Sequence, residues 1–364
     1  MARILSSMFL IFVYQVLIST SNAENEQPNK PVSLFIFGDS FFDVGNNNYI
    51  NTTTQKQANF WPYGQTYFNF PTGRFSDGRL ISDFITEYAN LPLIPPFLQP
   101  GFESREFFGV NFASSGAGAL VETYLGYVID LHTQLRYYKK VETWLITKLG
   151  YNEAKKMISE AIYLFSIGSN DYTVPIVDNC TEVFKPYSKF VDMVIGNITT
   201  VINEFYEIGG RRFAFVNLPS LGCLPAMRMQ TRDDKCLEEA SLLTSLHNKF
   251  LSTLLLKLEM QMKGFQYSLF DFESELQQRI DYPSKHGFKE GKMACCGRGK
   301  YRGFYSCGGK RPKEGYEFEL CENSNDFVFW DSYHLTERAY KQLADEMWNG
   351  LQNFFHQSKA IFQI

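Results

Sequence analysis

The sequence predicts an α/β fold in which a mainly parallel sheet carries helices on both faces, and three observations support it. Apolar runs of strand length, each bounded by turn residues, recur at residues 33–37, 108–112, 161–166, 212–217 and 266–270. Helical patterns lie between them, and strand alternating with helix implies parallel pairing through right-handed crossovers. Three chemically suggestive segments, at Ser40, at Ser114-Ser115-Gly116 and at Gly168-Ser169-Asn170, follow directly on these runs. Open sheets of this kind bind ligands beyond the carboxyl ends of their strands, so the three segments should gather on one edge.

In chain order, residues 1–23 read as a secretory signal, with Arg3 as the positive end, a mostly apolar core at 8–18 and Ser21-Asn22-Ala23 as the cleavage site. The mature chain, 24–364, is expected to form one domain, since no linker-like run divides it. The signal core is too short to span a bilayer comfortably, and no later segment runs about 18 residues without charge. With no retention signal at 361–364, a secreted protein without an integral membrane span is expected, the vacuole being the alternative destination.

The helical pattern at 187–208 holds Phe190, Val194, Ile198, Val201, Ile202 and Phe205 on one face and stops at Gly209-Gly210. A second long helix is expected over 237–262 and a last one over 334–353. Net charge is −4, which leaves no basic field to gather a phosphate backbone and argues against nucleic acid as a partner. Only residues 289–313 are locally basic, a solvated loop before they are a docking patch for acidic polymer or anionic lipid.

Seven cysteines follow the signal, and in an oxidising compartment most should pair. Cys223 and Cys236 suit a local bridge. Cys295, Cys296, Cys307 and Cys321 suffice for two more around a Gly-rich loop, which leaves Cys180 as the odd one. Zinc at the last four is the competing reading, but the spacing lacks paired C-x-x-C knuckles. Sequons at Asn51, Asn179 and Asn197 fit a secreted chain.

A serine hydroxyl is a poor nucleophile at neutral pH and needs a base in reach and donors for the oxyanion that forms on attack. Ser40 closes the run 33–37 in a tight turn. Of five histidines, only His334 has an Asp three residues before it, Asp331, to take the Nδ1 proton and leave Nε2 free. The blander reading makes Asp331 a helix cap and His334 a surface residue. Asn170 can donate its side-chain amide to an oxyanion, with backbone N–H groups from the Ser40 turn and from Ser115 or Gly116 beside it; alone, Asn170 reads as a turn residue. Asn46-Asn47-Asn48 likewise reads first as turn and capping chemistry. The G-x-S-x-G elbow is absent.

Gly38-Asp39-Ser40 with Asp43 and Gly45-Asn46-Asn47-Asn48, Asn111-Phe-Ala-Ser-Ser-Gly-Ala-Gly118, Gly168-Ser-Asn170-Asp171 and Asp331-Ser-Tyr-His334 are four blocks in order along nearly the whole mature chain. Together they resemble the plant GDSL esterase/lipases of the SGNH hydrolase superfamily. The resemblance implies a flavodoxin-like three-layer sandwich, serine esterase chemistry, and neither metal nor cofactor. It implies Ser40 as nucleophile, Asp331 and His334 as its partners, and Asn170 as an oxyanion donor, with Gly38, Asp39 and Gly168 supporting them. Two residues depart from the family pattern: Phe41 replaces the leucine of the GDSL motif, and Ser115 replaces a glycine, with Gly116 as the alternative donor.

The expected substrate is a small acyl ester or lipid, cleaved through an acyl-serine. An alcohol acceptor in place of water would make the same machinery an acyltransferase, and a binding or defence protein without turnover is the reading from another class. Phe60-Trp61, Tyr63, Tyr67-Phe68 and Phe97 either line an acyl groove or belong to the core, the commoner fate of aromatics.

Overall fold

Apolar, aromatic-rich runs form a central parallel sheet of β1 (Leu34–Gly38), β2 (Gly109–Asn111), β3 (Ile162–Ser166), β4 (Arg212–Val216) and β5 (Gln266–Phe270). Its spatial order is β2-β1-β3-β4-β5, the flavodoxin-like arrangement. All five expected runs are strands, each within one residue of its expected bounds. The computed structural model describes residues 32–101, 106–305, 307–308 and 317–356, so the signal at 1–23 lies outside the described residues.

Between and after the strands run α1 (Ile81–Tyr88), α2 (Leu131–Leu149), α3 (Tyr151–Glu160), α4 (Ser169–Val177), α5 (Tyr187–Ile208), α6 (Glu238–Gln261), α7 (Phe272–Asp281) and α8 (Glu337–His356). Side chains alternate across a strand, and the register aligns Phe35, Tyr163, Phe213 and Tyr267 in one row and Phe37, Phe165, Phe215 and Leu269 in the next. α2 and α5 cover this face: the Tyr138 ring meets Phe35 edge-on at 5.0 Å, and Phe205 lies 4.7 Å from Phe37. On the opposite face Arg212 donates from Nη1 to the Phe354 carbonyl of α8 at 3.2 Å. Ring contact between Tyr88 and Trp348 at 5.8 Å braces α8 against α1. Helices therefore cover both faces.

One boundary differs in an informative way. The last helix begins at Glu337, three residues beyond His334, because the Asp331 carboxylate accepts the backbone N–H groups of Tyr333 and His334 and closes a turn there. Thr336 is the residue whose hydroxyl meets the first helical turn, at Ala339 N.

A second, smaller core lies outside the sheet. Short strands β6 (Glu290–Ala294), β7 (Cys296–Gly297), β8 (Glu319–Leu320) and β9 (Phe327–Phe329) pair as β6 with β9 and β7 with β8. Ala58, Tyr63, Phe75, Cys295, Cys296, Cys307 and Trp330 are buried together. Disulfides join Cys223 to Cys236, Cys295 to Cys321 and Cys296 to Cys307, while Cys180 is free and exposed. All four cysteines of the zinc alternative are thus spent on bridges. The basic stretch pairs at the surface, Lys289 with Asp326, Lys300 with Asp234 and Arg302 with Glu319, as a solvated loop does; residues 306 and 309–316 lie outside the described part.

Phe37 is fully buried at the centre of the aromatic face, against Phe112, Phe165 and Phe205. Phe37→Ala is expected to lower unfolding free energy by about 3–5 kcal/mol, read from urea denaturation; a loss below about 1 kcal/mol would show that the row is not a tightly packed core.

Candidate active site

In a sheet ordered 2-1-3-4-5 the chain leaves β1 and β3 in opposite directions, which opens a crevice between their carboxyl ends. β1 and β3 stay paired to their last residues, Gly38 against Ser166. Gly38 adopts φ +151, and a Cβ there would lie 2.2 Å from the Ser166 carbonyl oxygen, so only glycine fits. On the other edge the buried Gln134 amide holds Gly38 from both sides, accepting its N–H at 2.9 Å and donating to its C=O at 2.8 Å. The turn that follows is thereby seated in the crevice with Ser40 buried but for 8% of its surface.

His334 Nε2 lies 2.7 Å from Ser40 Oγ, across 294 residues of sequence. Its Nδ1 lies 2.8 and 2.9 Å from the two Asp331 oxygens. Asp331 Oδ2 also accepts from the Tyr63 hydroxyl at 2.7 Å. Burial pushes the Asp331 pKa up, but the facing His334 and the hydrogen bonds from His334, Tyr333 N–H and Tyr63 outweigh it and hold the carboxyl below its ordinary range. The turn carrying these residues is fastened to the second core: Cys295 and Cys296 donate backbone N–H to Phe329 and Trp330, and Phe75 lies 4.6 Å from the imidazole.

Asn170 opens α4 just beyond β3 and lines the same cavity, of about 160 Å³, as Ser40 and His334. Its Nδ2 donates to the Ala117 carbonyl at 2.9 Å, and its second hydrogen is held only by a 3.4 Å contact to Asp39 Oδ2. Gly168, ahead of α4, has φ +120 and a Cβ there would meet His247 Cε1 at 2.8 Å. The two candidate donors of the Ser114-Ser115-Gly116 turn separate cleanly. Ser115 N–H is committed to Asp43 Oδ2 at 2.9 Å and is unavailable to a ligand. Gly116 N–H has no protein acceptor among the described residues, and neither has Ser40 N–H.

The asparagine run does more than turn the chain. Asn46 and Asn47 are buried; Asn46 donates to the Asn111 and Ala113 carbonyls and Asn47 to those of Lys56 and Ser115. They lock the loop after β1 to the loop after β2. Phe41 packs edge-on against Phe272 at 5.5 Å and lies 5.6 Å from His334, as part of the cavity wall. Of the aromatics weighed as groove or core, Tyr63 is in the small core under Asp331, Phe97 stacks on Tyr137 at 4.7 Å, and Trp61 is exposed. The cavity instead takes its tyrosines from positions 124, 305 and 333. Tyr124 and Tyr305 carry no local mark and reach the cavity only through long-range folding, whereas Tyr333 stands beside His334 in the last sequence block and Tyr63 belongs to the aromatic set named above. Of the sequons, Asn51 and Asn179 stand exposed, whereas Asn197 sits inside α5 with its amide bonded to Met193 O and His132.

The GDSL-like lipase/acylhydrolase family model matches residues 34–347. The chain belongs to this family. It is 56% identical to GDSL esterase/lipase 5 of Arabidopsis thaliana, over 96% of this chain and 91% of that one. GDSL esterase/lipase 2 of the same plant is 47% identical over 99% and 98% of the two chains, and a GDSL lipase of Tanacetum cinerariifolium 45% identical over 96% and 91%. A solved structure of a GDSL-like lipase from Parabacteroides merdae is a loose match, with a TM-score of 0.41 and 12% identity over 89% of this chain and 96% of its own.

Three further buried carboxyls frame the site of this GDSL-family chain. Burial pushes Asp39 up to about 7, with the Phe41 N–H opposing and the charges of Asp171 and Asp43 adding. Burial likewise raises Asp43 to about 6 against the N–H groups it accepts, and Asp171 to about 6 against the Thr123 hydroxyl and the N–H groups of Ala119 and Leu120. A carboxyl raised in the folded state stabilises the fold fully below its unfolded pKa, near 3.8 for Asp39, and that contribution is lost as pH rises through about 7. His247, pushed down to about 3 by burial, works in the opposite sense below about 6.5, so a variant comparison is needed to isolate Asp39. Asp39→Asn is expected to lose less stability than the wild type, or gain more, between pH 5 and pH 8 by urea unfolding; parallel pH profiles would show that Asp39 ionises normally.

Proposed function

We propose that this chain is a secreted serine hydrolase of carboxylic esters, acting on lipid or other acyl esters through an acyl-serine intermediate. The observation that carries the reading is the 2.7 Å contact of Ser40 Oγ with His334 Nε2, backed by Asp331 on Nδ1. With the Nδ1 proton held by Asp331, Nε2 offers a lone pair to the Ser40 hydroxyl. Ser40 Oγ attacks the ester carbonyl as Nε2 takes its proton, and Asp331 stabilises the imidazolium. The developing oxyanion would accept from the N–H groups of Ser40 and Gly116, which have no acceptor among the described residues, and from the weakly held hydrogen of Asn170. Collapse expels the alcohol, which leaves with the proton from Nε2. Water then gives its proton to Nε2 and attacks the acyl-serine; the second collapse returns the proton to Ser40 Oγ and frees the carboxylic acid.

Esterase/lipase relatives along almost the full chain support this chemistry. The leader at 1–23 supports a secreted product, and no helix among the described residues is long and apolar enough to cross a membrane.

The test is p-nitrophenol release from acyl esters of graded chain length by the mature protein, with and without an added alcohol. Turnover is expected in the wild type and none in Ser40→Ala, with Asn170→Ala lowering kcat about a hundredfold to a thousandfold. A transesterified product would reassign the physiological reaction to acyl transfer. Turnover that survives in Ser40→Ala would falsify the serine mechanism.

A further inference from the structure

We infer that Lys56 recognises an anionic substituent of the substrate, so that the preferred ester carries a carboxylate or a phosphate. The inference rests on the serine-hydrolase reading above and deepens it. Lys56 lines the same cavity as Ser40, Gly116, Asn170 and His334, and among the described residues no Asp or Glu lines it. The cavity therefore presents a cation at its wall with no carboxylate facing it from that wall.

The segment that carries this half-buried lysine is held in place. Asn47 Nδ2 donates to the Lys56 carbonyl at 2.8 Å, Gln57 Nε2 donates back to Asn47 O at 2.7 Å, and the Tyr305 hydroxyl bonds the Gln55 carbonyl. Its stem lies against Gly116, where a Cβ would stand 2.9 Å from Lys56 Cδ. The ammonium sits over the Tyr124 ring, 3.4 Å from the centroid. Tyr124 itself has φ +51, a left-handed conformation that is uncommon for an aromatic residue and that functional sites tolerate where the surroundings enforce it.

What the arrangement lacks is an anion. Lys56 Nζ has neither an ion-pair nor a hydrogen-bond partner among the described residues; exposed lysines such as Lys148 and Lys257 share that, but Lys56 stands at the wall of the cavity that holds Ser40. Burial pushes its pKa down to about 7, with only the charge of Asp178 opposing. A half-buried ammonium with no protein acceptor beside it among the described residues is free to pair with an anion delivered with the substrate, which would replace its remaining water. An ester must occupy this cavity to reach Ser40, and so passes Lys56.

The test compares two matched pairs on one enzyme preparation, so that the fraction of folded protein cancels. The first is p-nitrophenyl hydrogen adipate against p-nitrophenyl hexanoate, which probes a carboxylate. The second is 1-hexanoylglycerol 3-phosphate against 1-hexanoylglycerol, which probes a phosphate. Wild type is expected to favour the anionic member of at least one pair, Lys56→Met to reduce that kcat/KM ratio about tenfold or more, chiefly through KM, and Lys56→Arg to retain it. No anionic preference in either pair, or a Lys56→Met that slows both members equally, overturns the inference. Ser40→Ala is run beside them. If it abolishes turnover while Lys56→Met leaves the ratio unchanged, only the role of Lys56 falls; if it remains active, the hydrolase reading falls first.

Discussion

Close contact between two backbones underlies the rest of this structure. Gly38 approaches the Ser166 carbonyl so nearly that no side chain fits between them, and β1 and β3 therefore stay in register to their ends. That contact, with the Gln134 clamp on the other edge, sets the Asp39-Ser40 turn directly beside the Ser169-Asn170 helix start. Two loops far apart in sequence thus share one sheet edge. The chemistry inherits its geometry from the sheet, where positions are set by ladder hydrogen bonds rather than by loop preference.

Around this edge several polar side chains are buried, and the carboxylates among them are well supplied with donors. Asp43 gathers the N–H groups of Gly45, Asn46 and Ser115, while Asp171 gathers those of Ala119 and Leu120 with the Thr123 hydroxyl. Buried carboxylates satisfied in this way specify one arrangement, because any other leaves charge unpartnered. The same arithmetic separates structural donors from available ones: Ser115 N–H belongs to the scaffold, and Gly116 N–H is left over. Lys56 differs from that background, since its ammonium has no ion-pair or hydrogen-bond partner among the described residues.

His334 and Asp331 come from the other end of the chain and rest on different support. Their turn lies on the small core of Tyr63, Phe75, Trp330 and the bridged cysteines. A core this small holds a loop poorly without covalent closure, which is what the two bridges among Cys295, Cys296, Cys307 and Cys321 supply. Tyr63 joins the two roles, since its ring fills this core and its hydroxyl reaches Asp331.

The five strands, the long helix Tyr187–Ile208, and the candidacy of Ser40 and of the Asp331 and His334 pair were legible in the sequence, because hydrophobic period, turn residues and a three-residue Asp-to-His spacing are local signals; that the two meet was implied only by the family resemblance. The sequence left open which four cysteines pair with which, whether Ser115 or Gly116 has a free N–H, and which aromatics face the cavity. The folded chain gives the answers: Cys295 to Cys321 and Cys296 to Cys307, Gly116, and the tyrosines at 124, 305 and 333. It also moved the start of the last helix past His334 and made scaffold of the asparagine run. The physical reason is common to all of them. Whether a polar group is free or a side chain faces a cavity depends on partners tens to hundreds of residues away, and no local pattern encodes a contact such as Tyr63 with Asp331, 268 residues apart.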